Sequence, residues 1–108
     1  MNPAHDTWHV IWTDPAVADL SEISDYISRD SESYASIVAR HIYETGESLS
    51  HFPLRGRVVP ELFREDMREL FSDSYRIIYK VEEERVAILA VIHFSRDLQF
   101  FAGKLGNL

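Results

Sequence analysis

Three short apolar segments of this chain place arginines and a histidine among aliphatic neighbours: Arg68-Glu69-Leu70, Tyr75-Arg76-Ile77-Ile78-Tyr79 and Ile88-Leu89-Ala90-Val91-Ile92-His93. A guanidinium stays charged and presents its donors as a fixed fork, which suits a phosphate or a carboxylate. An imidazole exchanges a proton near neutral pH. Arg57 and Glu61 lie upstream in an irregular stretch, and Phe94 and Arg96 follow His93. Two uses compete for this set. Arg68 and Arg76 can face phosphate, or can pair with a carboxylate such as Glu61 or Glu69 and serve folding, with little net stability where the pair is exposed. His93 reads first as a satisfied histidine at a strand end, and Arg57 as a loop residue anchoring its own backbone.

The elements that must position these groups are legible in the spacing. Trp8-His9-Val10-Ile11-Trp12-Thr13 is aromatic and β-branched and predicts a first strand. Asp14 reads as the cap of a helix with Pro15 at its first position, where a missing N–H costs nothing. Ala16, Leu20, Ile23 and Ile27 form one helical face, and Asp19, Glu22, Asp25 and Ser28 the solvated one. The cluster Arg29-Asp30-Ser31-Glu32-Ser33 ends that pattern and offers caps for a second helix. Tyr34, Val38, Ile42, Thr45, Leu49 and Phe52 then continue it to Pro53, so residues 15–51 predict an antiparallel helical hairpin. Gly46 lowers helix propensity by up to about 1 kcal/mol relative to alanine and marks either close packing or nothing. The tyrosines Tyr26, Tyr34, Tyr43, Tyr75 and Tyr79 read as core or half-buried packing.

Residues 53–66 are irregular, with Gly56 and Pro60 as turn formers. Three strands follow at about 67–72, 75–81 and 85–93, turning at Asp73-Ser74 and at Glu82-Glu83-Glu84. Alternation puts Tyr75, Ile77, Tyr79 and Val81 on one face and Arg76, Ile78 and Lys80 on the other. The last strand is apolar on both faces and should lie inside the sheet. The order β-α-α-β-β-β predicts an α+β domain, with the hairpin packed on a mostly antiparallel sheet. Residues 1–7 read as an extension and about 98–108 as a tail.

The 108 residues are 45% apolar, enough for one core and too few for two domains. There is no cysteine, which excludes disulfides and thiolate metal sites and fits a reducing cytoplasm. The five histidines are scattered, and neither a metal nor another cofactor is expected. No apolar run approaches the roughly 18 residues of a membrane span, so a soluble, unprocessed, cytoplasmic protein is expected. The net charge of −7 is uneven. Residues 1–51 hold nine acidic groups against Arg29 and Arg40, whereas residues 52–108 balance. Strong binding to nucleic acid normally needs a basic surface, and this chain does not offer one globally.

The order of elements, with Phe52-Pro53, Gly56-Arg57, Pro60-Glu61-Leu62, Arg68-Glu69-Leu70, Tyr75-Arg76-Ile77-Ile78-Tyr79 and His93 followed by Arg96-Asp97-Leu98, resembles the RelE/ParE superfamily of type II toxins. The resemblance spans about residues 8–98 and is nearer to the ParE branch. It implies a toxin held inactive by a cognate ParD-like antitoxin in a hetero-oligomer, through an antitoxin tail that folds onto the toxin. ParE-like members poison DNA gyrase by binding, and RelE-like members cleave mRNA on the ribosome. Fold alone does not choose between the two.

Metal-independent RNA cleavage needs a base, a cation for the phosphorane and an acid for the leaving oxygen. The resemblance maps these roles by position onto Glu61, Arg68 and His93. The lysine-rich loop of the strongly basic RNase members is missing, because residues 53–66 hold Arg55, Arg57 and Arg64 but no lysine. Phe94 beside His93 can stack on a base but cannot transfer a proton. The expected reading is therefore a gyrase-binding toxin without a catalytic site. A ribosome-dependent endoribonuclease and a non-toxic antitoxin-binding member are the alternatives. Arg57, Arg76, Phe94, Arg96, Leu98 and Phe101 are the candidates for contact with the target or the antitoxin.

Overall fold

The structure is a computed structural model and describes residues 7–96. It contains β1 (His9–Trp12), α1 (Asp14–Ser28), α2 (Glu32–Glu47) with a 3-10 turn at Ser48–Ser50, β2 (Arg57–Val58), β3 (Met67–Ser72), β4 (Tyr75–Glu82) and β5 (Arg85–His93). The five strands lie in the order β1-β5-β4-β3-β2. β1 runs parallel to β5, and every other pairing is antiparallel. The expected α+β architecture is present with one strand more than the sequence suggested. Arg57 pairs with Glu69 and Val58 with Arg68, so part of the irregular stretch is an edge strand. Two residues are too few to show an alternation.

Helix starts follow from side-chain oxygens. Thr13, not Asp14, caps α1 by accepting the Ala16 N–H at 3.4 Å, which moves Pro15 one place further in. Ser31 caps α2 by accepting the Tyr34 N–H at 3.1 Å. Each such oxygen satisfies one of the N–H groups that a helix start leaves without a partner.

The helices cover one face of the sheet. Ala16, Val38, Ile42 and Leu49 bury themselves against Leu70, Ile77, Tyr79, Val86, Ile88 and Val91. A second cluster on the opposite face joins Met67, Ile78, Ala87 and Leu89 to Val59, with Leu62 packed against it. That face is covered by the segment between β2 and β3.

Gly46 marks close packing: a methyl group there would come within 2.5 Å of Trp12 Cζ2 and 2.8 Å of Ile88 Cδ1. Asp19 is not simply a solvated acid, because its carboxylate accepts the Val91 N–H at 3.0 Å. β1 ends opposite Ile88, so this β5 amide lies past its strand neighbour and the helix supplies the acceptor.

Two aromatic expectations need correction. Tyr79 is buried and Tyr75 half-buried, but Tyr26, Tyr34 and Tyr43 are exposed. The buried stripe of α2 runs through Ala35, Val38 and Ile42, so Tyr34 and Tyr43 each fall one position off it. Phe52 is exposed as well, because the helical period does not extend past Ser50.

Candidate functional site

The polar residues of the sheet separate by face. Glu69 and Arg76 project on the side away from the helices, with Met67 and Ile78. Glu69 opposes Ile78, and Arg76 opposes Phe71, so the two are diagonal neighbours within reach of each other. Glu69 is 1% exposed and Arg76 6%. Arg76 Nε donates to Glu69 at 2.6 Å, and its terminal nitrogens donate to both oxygens of Glu61 at 3.1 and 3.2 Å. Arg57 Nε donates to the other Glu69 oxygen at 2.6 Å. Its guanidinium lies 5.3 Å over the Phe71 ring.

Two cations and two carboxylates thus close on one another. The Arg76 hydrogen bonds hold the Glu61 carboxyl below the usual carboxylate range, against the opposing effect of burial. Burial disfavours the Arg76 charge, but its hydrogen bonds to Glu61 and Glu69 outweigh that and raise its pKa. The chemistry available to this cluster is structural: it ties the turn at Glu61 to the sheet.

Arg68 lies on the helix-facing side with Leu70. It donates to the carbonyls of Gly56 at 3.0 Å and Glu65 at 3.1 Å, and reaches Leu54 O at 3.5 Å. These bonds close the irregular segment against the strand. Tyr79 adds another, its hydroxyl accepting the Gly56 N–H at 3.0 Å. Burial raises the pKa of that phenol. No side chain fits at Gly56, where a Cβ would sit 2.5 Å from Glu69 O and 2.6 Å from the Tyr79 hydroxyl.

His93 stands exposed at the end of β5, opposite Tyr75. Its ring meets Tyr75 edge-on at 5.5 Å and lies 4.9 Å from Phe94. Nδ1 is 2.7 Å from Ser95 Oγ and accepts the Ser95 N–H at 3.2 Å.

Glu61, Arg68 and His93 are therefore not brought together. Glu61 is bonded to Arg76 on one face, while Arg68 and His93 belong to the other. Arg68 pairs with Tyr79 from β3 and His93 with Tyr75 from β5, which sets them about 13 Å apart along the strands and about 10 Å across them. Among the contact candidates, Arg57 and Arg76 share the ion-pair cluster, and Phe94 and Arg96 are exposed beside His93. Leu98 and Phe101, like the tail as a whole, lie outside the described residues.

One residue stood out in no sequence pattern. Phe63 is 91% exposed and has φ of 54°, a left-handed backbone that an aromatic side chain adopts at a cost of about 1–3 kcal/mol. Its only signal in the sequence is a bulky apolar residue inside a polar turn. Among the described residues, no three His, Asp or Glu side chains are grouped as metal ligands.

Residues 10–98 match the family described as the ParE toxin of type II toxin-antitoxin system, parDE. Toxin RelE2 of Caulobacter vibrioides is 34% identical over 87 residues, which are 81% of this chain and 96% of the relative. The fold is shared with a chain of the chromosomal ParDE TA system from P. aeruginosa at a TM-score of 0.68 and 22% identity, covering 82% of this chain and 97% of that one. It is shared also with a chain of the toxin-antitoxin complex RelBE2 from Mycobacterium tuberculosis at 0.58 and 25%, covering 81% and 91%.

Proposed function

The chain belongs to the ParE toxin family of type II toxin-antitoxin systems, and from that premise we propose that it inhibits growth by binding a protein target, DNA gyrase, rather than by cleaving RNA. One observation carries this reading. Glu61 is bonded to Arg76 on one face of the sheet, and Arg68 and His93 stand apart on the other. A base, a cation and an acid so placed do not meet at one phosphate. The charge supports it, since −7 repels a polyanion and favours a partner reached through protein contacts.

In this reading the protein acts in the cytoplasm, needs no cofactor, and is neutralised by a ParD-like antitoxin whose tail orders on binding. The two fold neighbours, each drawn from a toxin–antitoxin system, support the antitoxin partner. A ribosome-dependent endoribonuclease is the second reading, favoured by the likeness to a toxin named RelE2.

Inducing the isolated chain in bacteria separates them. DNA breaks and an SOS response with intact message are the expected result. Message cut at ribosomal A sites with intact DNA would reverse the assignment and require Glu61, Arg68 and His93 to converge on the ribosome.

A further inference from the structure

We infer that residues 97–108 fold back over an aromatic face at the tip of the helical hairpin, so that this surface is covered by the chain's own segment. The inference goes beyond the proposed function and does not rest on it.

Four elements build the face. Tyr26 lies near the end of α1, Tyr34 in the first turn of α2, Tyr75 at the start of β4, and Phe94 just past β5. His93 bridges the last two, its ring edge-on to Tyr75 at 5.5 Å and 4.9 Å from Phe94. The phenols of Tyr34 and Tyr26 come near enough to Tyr75 to act on it: burial first, and then these two neighbours, raise its pKa. Tyr34 is 54% exposed, Phe94 57% and Tyr26 69%. Aromatic rings left open together form the kind of apolar surface that contacts something. Tyr43, 50% exposed on the same helix, is off this face and stacks on Trp12.

The backbone directs the chain to the face. Arg96 N–H donates to His93 O at 2.9 Å, which closes a turn immediately after β5. Two further bonds pin that turn: Phe94 N–H donates to Ser74 O at 2.8 Å and Ser95 N–H to His93 Nδ1 at 3.2 Å. Residues 97–108 therefore start beside Phe94 from a chain already turned back. Their sequence suits an aromatic cover, with Phe100 and Phe101 adjacent, Leu98, Leu105 and Leu108 around them, and the charges of Asp97 and Lys104 cancelling. Extended, such a stretch reaches about 40 Å, enough to cross two helices packed about 10 Å apart. Tethered this closely, its rings meet the face at about millimolar effective concentration, so weak contacts suffice and any free protein must outcompete them. The family match ends at residue 98, and the matched part already spans 96% and 97% of two relatives. The cover thus lies almost wholly beyond what those relatives share.

Tyrosine nitration read by mass spectrometry tests this on the full chain, made without antitoxin by cell-free synthesis. Tyr34 and Tyr43 are similarly exposed on one helix, so each serves as the other's control. A segment closed about nine-tenths of the time slows reaction beneath it about tenfold. Tyr34 of the wild type should therefore react about tenfold more slowly than in Phe100→Asp with Phe101→Asp, while Tyr43 and the melting temperature stay the same. Phe100→Leu with Phe101→Leu should keep most of the protection. Equal Tyr34 rates in wild type and the folded aspartate variant would overturn the inference. So would protection that grows with protein concentration, which means a second copy, or protection that appears only with cognate antitoxin present. Should the aspartate variant fail to fold, cross-linking decides, because the chain has no cysteine of its own. A short bismaleimide should join Tyr34→Cys to Phe101→Cys within one chain and leave Tyr43→Cys with Phe101→Cys unjoined; no link at Tyr34, or equal linking at both, would overturn the inference.

Discussion

Glu69 and Arg76, diagonal neighbours on β3 and β4, form an ion pair with almost no access to water, 1% and 6% exposed, and Glu61 and Arg57 close it from either side. Buried charges are costly to strand, so removing one partner should hurt more than removing both. Arg76→Met is expected to destabilise by about 3–5 kcal/mol, because Glu69 stays buried with only Arg57. Combining it with Glu69→Leu should recover part of that loss. Urea unfolding at neutral pH with an unchanged m-value is the measurement. Additive losses would show that the pair is not coupled.

Gly46 predicts a second cost. Alanine is the better helix former by up to about 1 kcal/mol, but its methyl would lie 2.5 Å from the Trp12 ring. That ring cannot withdraw freely, since it stacks on Tyr43 with centroids 5.7 Å apart and donates to Glu47 at 3.0 Å. Overpacking should win, so Gly46→Ala should lose about 1–3 kcal/mol in the same unfolding assay. A gain in stability would mean that Trp12 moves aside without cost.

How far the sequence reaches depends on where the information lies. β3, β4 and β5 were readable because Asp73-Ser74 and the acidic triplet Glu82-Glu83-Glu84 divide short β-favouring runs, of which β4 alternates with a period of two and β5 is apolar on both faces. The same alternation placed Arg76 on the face opposite Tyr79, and a carboxylate partner was foreseeable. That Arg76 takes both Glu69 and Glu61 was not, because the first depends on hairpin register and the second on the path of an aperiodic turn. Arg68 misled for a related reason: its partners are the Gly56 and Glu65 carbonyls, and backbone acceptors leave no mark in a sequence. Phe63 was invisible because exposure of an apolar residue is decided by the fold, not by its type.

Glu61 gives the pH dependence its sign. Its folded pKa lies below the ordinary value, chiefly because Arg76 hydrogen-bonds the charged form. The stability it adds is present above the ordinary carboxylate range and is lost as pH falls through the depressed folded value. Asp66, lowered by Arg64, acts in the same direction. The stability difference between wild type and Glu61→Gln should therefore be constant near neutrality and shrink as the solution is acidified below the ordinary range. Denaturant melts across that range check it, and a difference that grows on acidification would contradict the assignment.

Arg68 and His93 carry the last prediction, which bears on chemistry rather than on folding. Arg68→Ala leaves the Gly56 and Glu65 carbonyls without their donor, and should lower stability by about 1–3 kcal/mol. Among the described residues the exposed His93 ring hydrogen-bonds only to its neighbour Ser95, so His93→Ala should change stability little. If the two side chains are structural, each variant should arrest growth as well as wild type once folded protein is matched. An endoribonuclease relying on them should lose activity by orders of magnitude, and for His93→Ala the loss would come without any fall in melting temperature. His93 is thus the sharper of the two tests, because its removal separates catalysis from folding and that of Arg68 does not.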